Sequence, residues 1–166
     1  MEILPRKIIS ASVSGTIFAI ILGLVIPNPF GDENISSFQS YLISSITIIP
    51  IYMLYSFPAI LIYGVVTSII SDKVGKFVSV KVQKKKAELV VSVVLHMVFG
   101  LVLFWFSLGA SILFFIVDRI FRIRNNKYKW MEAIKSLAIP LITWLICMGF
   151  FWLNDKFFNY YENSLL

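Results

Sequence analysis

Long apolar runs separated by short charged stretches set the predicted elements of this chain. The first run, Ile8–Ile26, holds about 19 residues and reaches about 28 Å as a helix, enough to cross a bilayer. Pro27, Pro29 and Gly31 end it, and Asp32 and Glu33 follow in a loop without Lys or Arg. A second run, Tyr41–Ser71, is longer than one straight crossing requires and contains Pro50 and Pro58, which predict a kinked, tilted pass. Its Ser and Thr hydroxyls are placed to satisfy the backbone groups that such breaks expose. A last run covers Ile134–Leu153, with Tyr128 and Trp130 before it and Tyr160 and Tyr161 beyond it as interfacial aromatics.

Between these lies Leu89–Arg124, whose topology controls everything after it. Leu89–Val117 carries no formal charge, and basic residues crowd both ends: Lys84, Lys85 and Lys86 before, Arg119, Arg122 and Arg124 after. One long helix over 89–121 would export the second cluster, against the tendency of basic loops to stay cytoplasmic. A hairpin turning at Ser107-Leu108-Gly109-Ala110-Ser111 keeps both inside, with Asp118 pairing Arg122 four residues on. The hairpin is the preferred reading, because a helix a few residues too short costs less than an exported basic loop.

The expected fold is therefore an all-α membrane bundle of five transmembrane helices, at about 8–26, 41–71, 87–106, 109–124 and 134–153, in a single domain 1–166. Four crossings, with 89–121 as one helix, is the alternative. The N-terminus and the loop 72–88 are expected in the cytoplasm and the C-terminus outside. Loop 72–88, with Lys73, Lys76, Lys81, Lys84, Lys85 and Lys86 among valines and Phe77, is expected to lie along anionic headgroups.

Composition agrees with the pattern. The 166 residues are 58% hydrophobic with mean hydropathy +0.85, and the net charge of +6 sits beside apolar runs, where it serves topology rather than nucleic-acid binding. Arg6 and Lys7 before the first run imitate a signal peptide, but the run is too long and no small-residue cleavage pattern follows, so an uncleaved helix is expected. The single cysteine, Cys147, excludes an internal disulfide and reads as a buried small hydrophobe.

Candidate chemistry is sparse. His96 is the costly residue of the apolar stretch; it shares a helical face with Ser92 and Gly100, and it has neither a second His nor a carboxylate within the apolar runs to work with. Asp118 and Arg119 complete the candidate intramembrane polar site. No nucleophile set, phosphate loop or metal motif is visible, so no cofactor, no metal and no enzymatic activity are expected. Ala11, Gly15, Ala19 and Gly23 recur every fourth residue of the first helix and form a face that another helix can approach closely.

Tyr63-Gly64 with Ser68 and Asp72, Leu95-His96 with Phe99-Gly100, and Phe114-Phe115 with Asp118 and Arg119 form a pattern that resembles small multi-pass membrane proteins of Bacillus-type bacteria. The resemblance spans the middle third of the chain, implies a bacterial plasma membrane, and brings no activity with it. The leading functional expectation is a non-enzymatic membrane protein acting through helix–helix contacts with itself or a membrane partner. The alternative is a small transporter or channel lined by the second helix and His96.

Overall fold

The computed structural model describes residues 3–31, 35–102, 104–124 and 127–164. It is all-α. Helix α1 runs Ile3–Val25; α2 (Phe38–Ala59) passes through a π turn at Ile60–Gly64 into α3 (Val65–Val82); α4 covers Lys85–Leu101, α5 Phe104–Ile123, α6 Trp130–Ser136 and α7 Ala138–Ser164. Because α2, the π turn and α3 are continuous and α6 runs almost directly into α7, the described residues form five rods.

Among the described residues three rods are long and apolar enough to cross a membrane: Ile3–Val25, the 45-residue Phe38–Val82, and Trp130–Phe157. The expected count of five crossings is corrected by this. Helix α4 has only 17 residues, and α5 carries Asp118, Arg119 and Arg122 in its last two turns. Large apolar side chains nonetheless face outward all round, including Leu54, Ile62, Val98, Ile116 and Ile146, which is the exterior of a protein solvated by lipid.

Local chemistry explains the ends and breaks. Ser37 caps α2 by accepting from the Ser40 N–H at 3.1 Å. Pro50 and Pro58 lie inside α2, and the wider π turn begins two residues after Pro58 has removed a backbone donor. Leu137 interrupts α6 and α7 three residues before Pro140, whose ring opposes the Ser136 carbonyl one turn back. Helix α7 then continues well past Leu153, where the apolar run ends.

Two expected connections fall elsewhere. Most of the segment 72–88 is helix, because lysine and valine continue α3 to Val82; only Gln83, in the left-handed region at φ 56°, and Lys84 turn the chain into α4. The hairpin exists and the single helix 89–121 does not, but α4 ends at Leu101 and α5 begins at Phe104, so the reversal falls before Ser107–Ser111, which is helical. Gly100 lies against Leu108 and Ser111, and Ser111 Oγ donates to the His96 carbonyl at 2.7 Å, so the two arms run antiparallel. The acidic loop residues Asp32 and Glu33, and the side chains of Tyr160 and Tyr161, lie outside the described residues.

Helix α1 is the centre of the bundle and touches α2, α3, α5, α6 and α7. Its small-residue face is fully used inside the chain: Ala11 and Ala19 are 0% exposed, Gly15 meets Phe57, and Gly23 packs on Ile49 and Ser45 of α2. The core cluster joins Ala11 and Phe18 to Ile60, Val65, Ala110 and Phe114. Cys147 is a free, buried thiol in α7.

Candidate functional site: a buried charge cluster beneath an apolar cavity

The helical register of α1 begins at Ile3, so Arg6 and Lys7 lie within the helix and one turn below Ala11 rather than in a flanking tail. Lys7 is completely buried. Its ammonium donates to Asp72 Oδ2 at 2.6 Å, to Asp118 Oδ2 at 2.7 Å and to Ser68 Oγ at 2.5 Å, which uses all three of its protons. Arg6 reaches Asp118 Oδ1 through Nε at 3.0 Å and lies 3.7 Å from Asp72. Ser10, one turn on, places its hydroxyl 3.4 Å from Asp118. Two cations and two carboxylates therefore balance to zero, which is how charge is tolerated away from water.

The cluster continues into α4. Ser92 Oγ donates to Asp72 Oδ1 at 3.2 Å, and the Ser92 carbonyl is 2.8 Å from His96 Nδ1. A carbonyl only accepts, so Nδ1 carries a proton, and in the neutral ring Nε2 is then an acceptor. Nε2 lies 3.1 Å from Ser68 Oγ, the hydroxyl that Lys7 contacts. Ser68 accepts from Lys7 and, with the ring neutral, donates to His96. Phe114 and Phe115 enclose the imidazole, with ring centroids at 6.5 and 5.1 Å.

On the other side of His96 lies a cavity of about 560 Å³. It extends from Ile26, Pro29 and Tyr52 near the end of α1 to Thr67 and His96 at its floor, and the π turn forms part of its wall. Tyr55 and Phe106, 75% and 60% exposed, stand at its mouth. The wall is apolar apart from a few hydroxyls. One of these, Ser56 Oγ, is buried with no hydrogen-bond partner among the described residues. Tyr63 donates to the Phe99 carbonyl at 3.0 Å and ties the π turn to α4.

Of the four polar residues singled out from sequence, the fold unites His96, Ser92 and Asp118 and leaves Arg119 outside. Arg119 lines a separate shallow groove with Glu88 and Arg122. The expected Asp118–Arg122 pair does not form: Asp118 turns inward to Arg6 and Lys7, and Arg122 pairs with Glu88 across the hairpin. Sequence reasoning missed Arg6, Lys7, Ser68 and Asp72 as site residues, because charges beside an apolar run read as topology signals. His96 also has the carboxylate neighbourhood that the sequence seemed to deny it. The available signal was the proline at Pro5, which suits the first turn of a helix and places Arg6 and Lys7 inside it.

The same contacts gather the basic stretches at one end of the bundle. Arg6 and Lys7 meet Asp72 and Asp118, Glu88 meets Arg122, and Ser12 of α1 lies 3.1 Å from Ser136 of α6. Among the described residues no group of three His, Cys, Asp or Glu side chains is placed to hold a metal ion.

No family model, curated protein or solved structure matches this chain. The resemblance to small Bacillus-type membrane proteins therefore gives no family assignment, and the class stands on the structure alone: an all-helical protein with three helices able to span a membrane.

Proposed function

We propose that this protein is a small non-enzymatic membrane transporter or carrier that takes an apolar or single-headed amphiphilic solute into the cavity beside its broken helix. The observation that carries this is the cavity itself: about 560 Å³, apolar, floored by His96 and walled by the π turn of α2–α3. Its volume lies in the range of small-molecule sites, and π turns and interrupted membrane helices recur at such sites.

The competing role in helix–helix association loses its motive, because Ala11, Gly15, Ala19 and Gly23 are already covered by the chain's own helices. In this proposal the basic end of the bundle faces the cytoplasm and the anionic headgroups, with the α4–α5 hairpin entering from that side and returning to it. The hairpin returns the chain to the side it left, so the C-terminus comes out extracytoplasmic. The plasma membrane of a bacterium is the setting.

A thermal-shift measurement on the full chain in maltoside tests the cavity, with 1-decanol as the probe. A ligand bound only by the folded state raises its stability. Decanol is expected to raise the unfolding midpoint of the wild type and to leave that of Ala59→Trp unmoved, since Ala59 lines the cavity from an exposed rim position. Equal responses in the two proteins would remove the cavity from the function.

A further inference from the structure

We propose that Lys7, Ser68 and His96 form a directional proton wire between the basic end of the bundle and the cavity, so that the solute site is proton-coupled. The inference rests on the cavity reading and names its coupling ion. Its basis is the order of donors. Lys7 Nζ donates to Ser68 Oγ at 2.5 Å, Ser68 Oγ lies 3.1 Å from His96 Nε2 and donates to it when the ring is neutral, and the Ser92 carbonyl holds a proton on Nδ1 at 2.8 Å. Among the described residues the Ser68 hydroxyl has one acceptor, His96 Nε2, and His96 lines the cavity.

The far end of the wire reaches water. The side chain of Asp72 is 18% exposed and that of Arg6 12%, whereas Lys7 is 0% exposed. The charged groups around His96 are Arg6 and Lys7 from α1, Asp72 from α3 and Asp118 from α5. Glu88 of its own helix pairs with Arg122, two turns away or about 12 Å along α4.

The transfer balances without any redox partner. A water proton at the basic end adds to Asp72 Oδ2. It passes to Lys7 Nζ as Lys7 gives one of its protons to Ser68 Oγ. Ser68 gives its hydroxyl proton to His96 Nε2. The cluster regains its starting charge, and the imidazole becomes imidazolium at the cavity floor. A turn of the ring that carries Nε2–H from Ser68 toward the cavity His96 lines, followed by loss of that proton to water there, restores the neutral ring.

Two measurements on the full chain test this. His96 is the only histidine, so protein labelled with 15N-histidine shows one imidazole. Above its titration it is expected to be protonated at Nδ1 with a bare Nε2; an Nε2–H ring would overturn the wire. In proteoliposomes carrying pyranine, a valinomycin-set potassium potential is expected to drive proton uptake above that of protein-free vesicles. Ser68→Ala is expected to lower uptake to the protein-free level, and Ser68→Thr, which keeps the hydroxyl, to retain it. Wild-type uptake no greater than that of empty vesicles, or unchanged uptake in Ser68→Ala, would overturn the proposal. Decanol stabilisation measured on Ser68→Ala separates the ideas: retained stabilisation with lost flux shows an intact cavity and a broken wire. Proton flux in a wild type that ignores decanol would sink the solute reading and leave the wire standing.

Discussion

Replacing Asp118 with alanine is the sharpest test of how the bundle is held together. The substitution removes the acceptor of Lys7 at 2.7 Å and of Arg6 at 3.0 Å, and leaves two cations facing Asp72 alone. Lys7 is fully buried, so solvent does not take the place of its lost partner. Breaking a buried pair by deleting one member costs about 3–5 kcal/mol, because an uncompensated charge stays behind. Removing both members is far cheaper, since Arg6 and Asp72 still balance. The double variant Lys7→Met with Asp118→Ala is therefore expected to recover at least about 2 kcal/mol relative to the sum of the two single effects. The assay is reversible unfolding in mixed micelles by SDS titration, read by the fluorescence of the four tryptophans. A loss below about 1 kcal/mol for Asp118→Ala, or strict additivity in the cycle, would refute the view of the cluster as a desolvated charge network.

Gly23→Leu is expected to destabilise by at least about 1–3 kcal/mol, because even a Cβ there comes within 2.5 Å of Ile49 and 2.9 Å of the Ser45 carbonyl; Gly149→Leu, with nothing within 4 Å, is expected to be neutral in the same unfolding assay. Gly75→Ala is expected to loosen the α3–α4 pair, since its new methyl would stand 2.8 Å from the Glu88 carbonyl, and faster amide exchange in α4 checks this. Tyr63→Phe deletes the bond to the Phe99 carbonyl and is expected to cost about 1 kcal/mol, with a matching drop in the unfolding midpoint. Cysteines at Pro29 and Gln83, in a Cys147→Ala background, are expected to react with impermeant maleimide from opposite sides of the membrane. Labelling of both from one side would contradict the crossing by Phe38–Val82.

Several features of the fold were legible from residues taken a few at a time. The apolar runs mark helices able to cross a bilayer, because in lipid a backbone must bond within its own segment. The run of lysines at 84–86 and the arginines at 119–124 predict that Leu89–Arg124 folds back on itself, and it does. The four-residue spacing of Ala11, Gly15, Ala19 and Gly23 predicts a tight helix contact, and that face is buried. These signals are local, so sequence carries them.

What only the tertiary structure decided is which faces meet. Arg6 and Lys7 beside an apolar run look like charges waiting in water. They become site residues, Lys7 fully buried and Arg6 partly so, because α1 sits at the centre and Asp72 and Asp118 arrive from other helices; Asp118 lies 111 positions from Lys7. No periodicity encodes a neutral pair at that separation. The same holds for Ser68, an ordinary hydroxyl in α3 until Lys7 and His96 stand on either side of it. The partner of the small-residue face was equally open, since a second copy and α2 present the same requirement of close backbone approach. The turn of the hairpin moved for a related reason: Gly100 packs against Ser111, so the α4–α5 contact, not the small residues at Ser107–Ser111, fixes where the chain reverses.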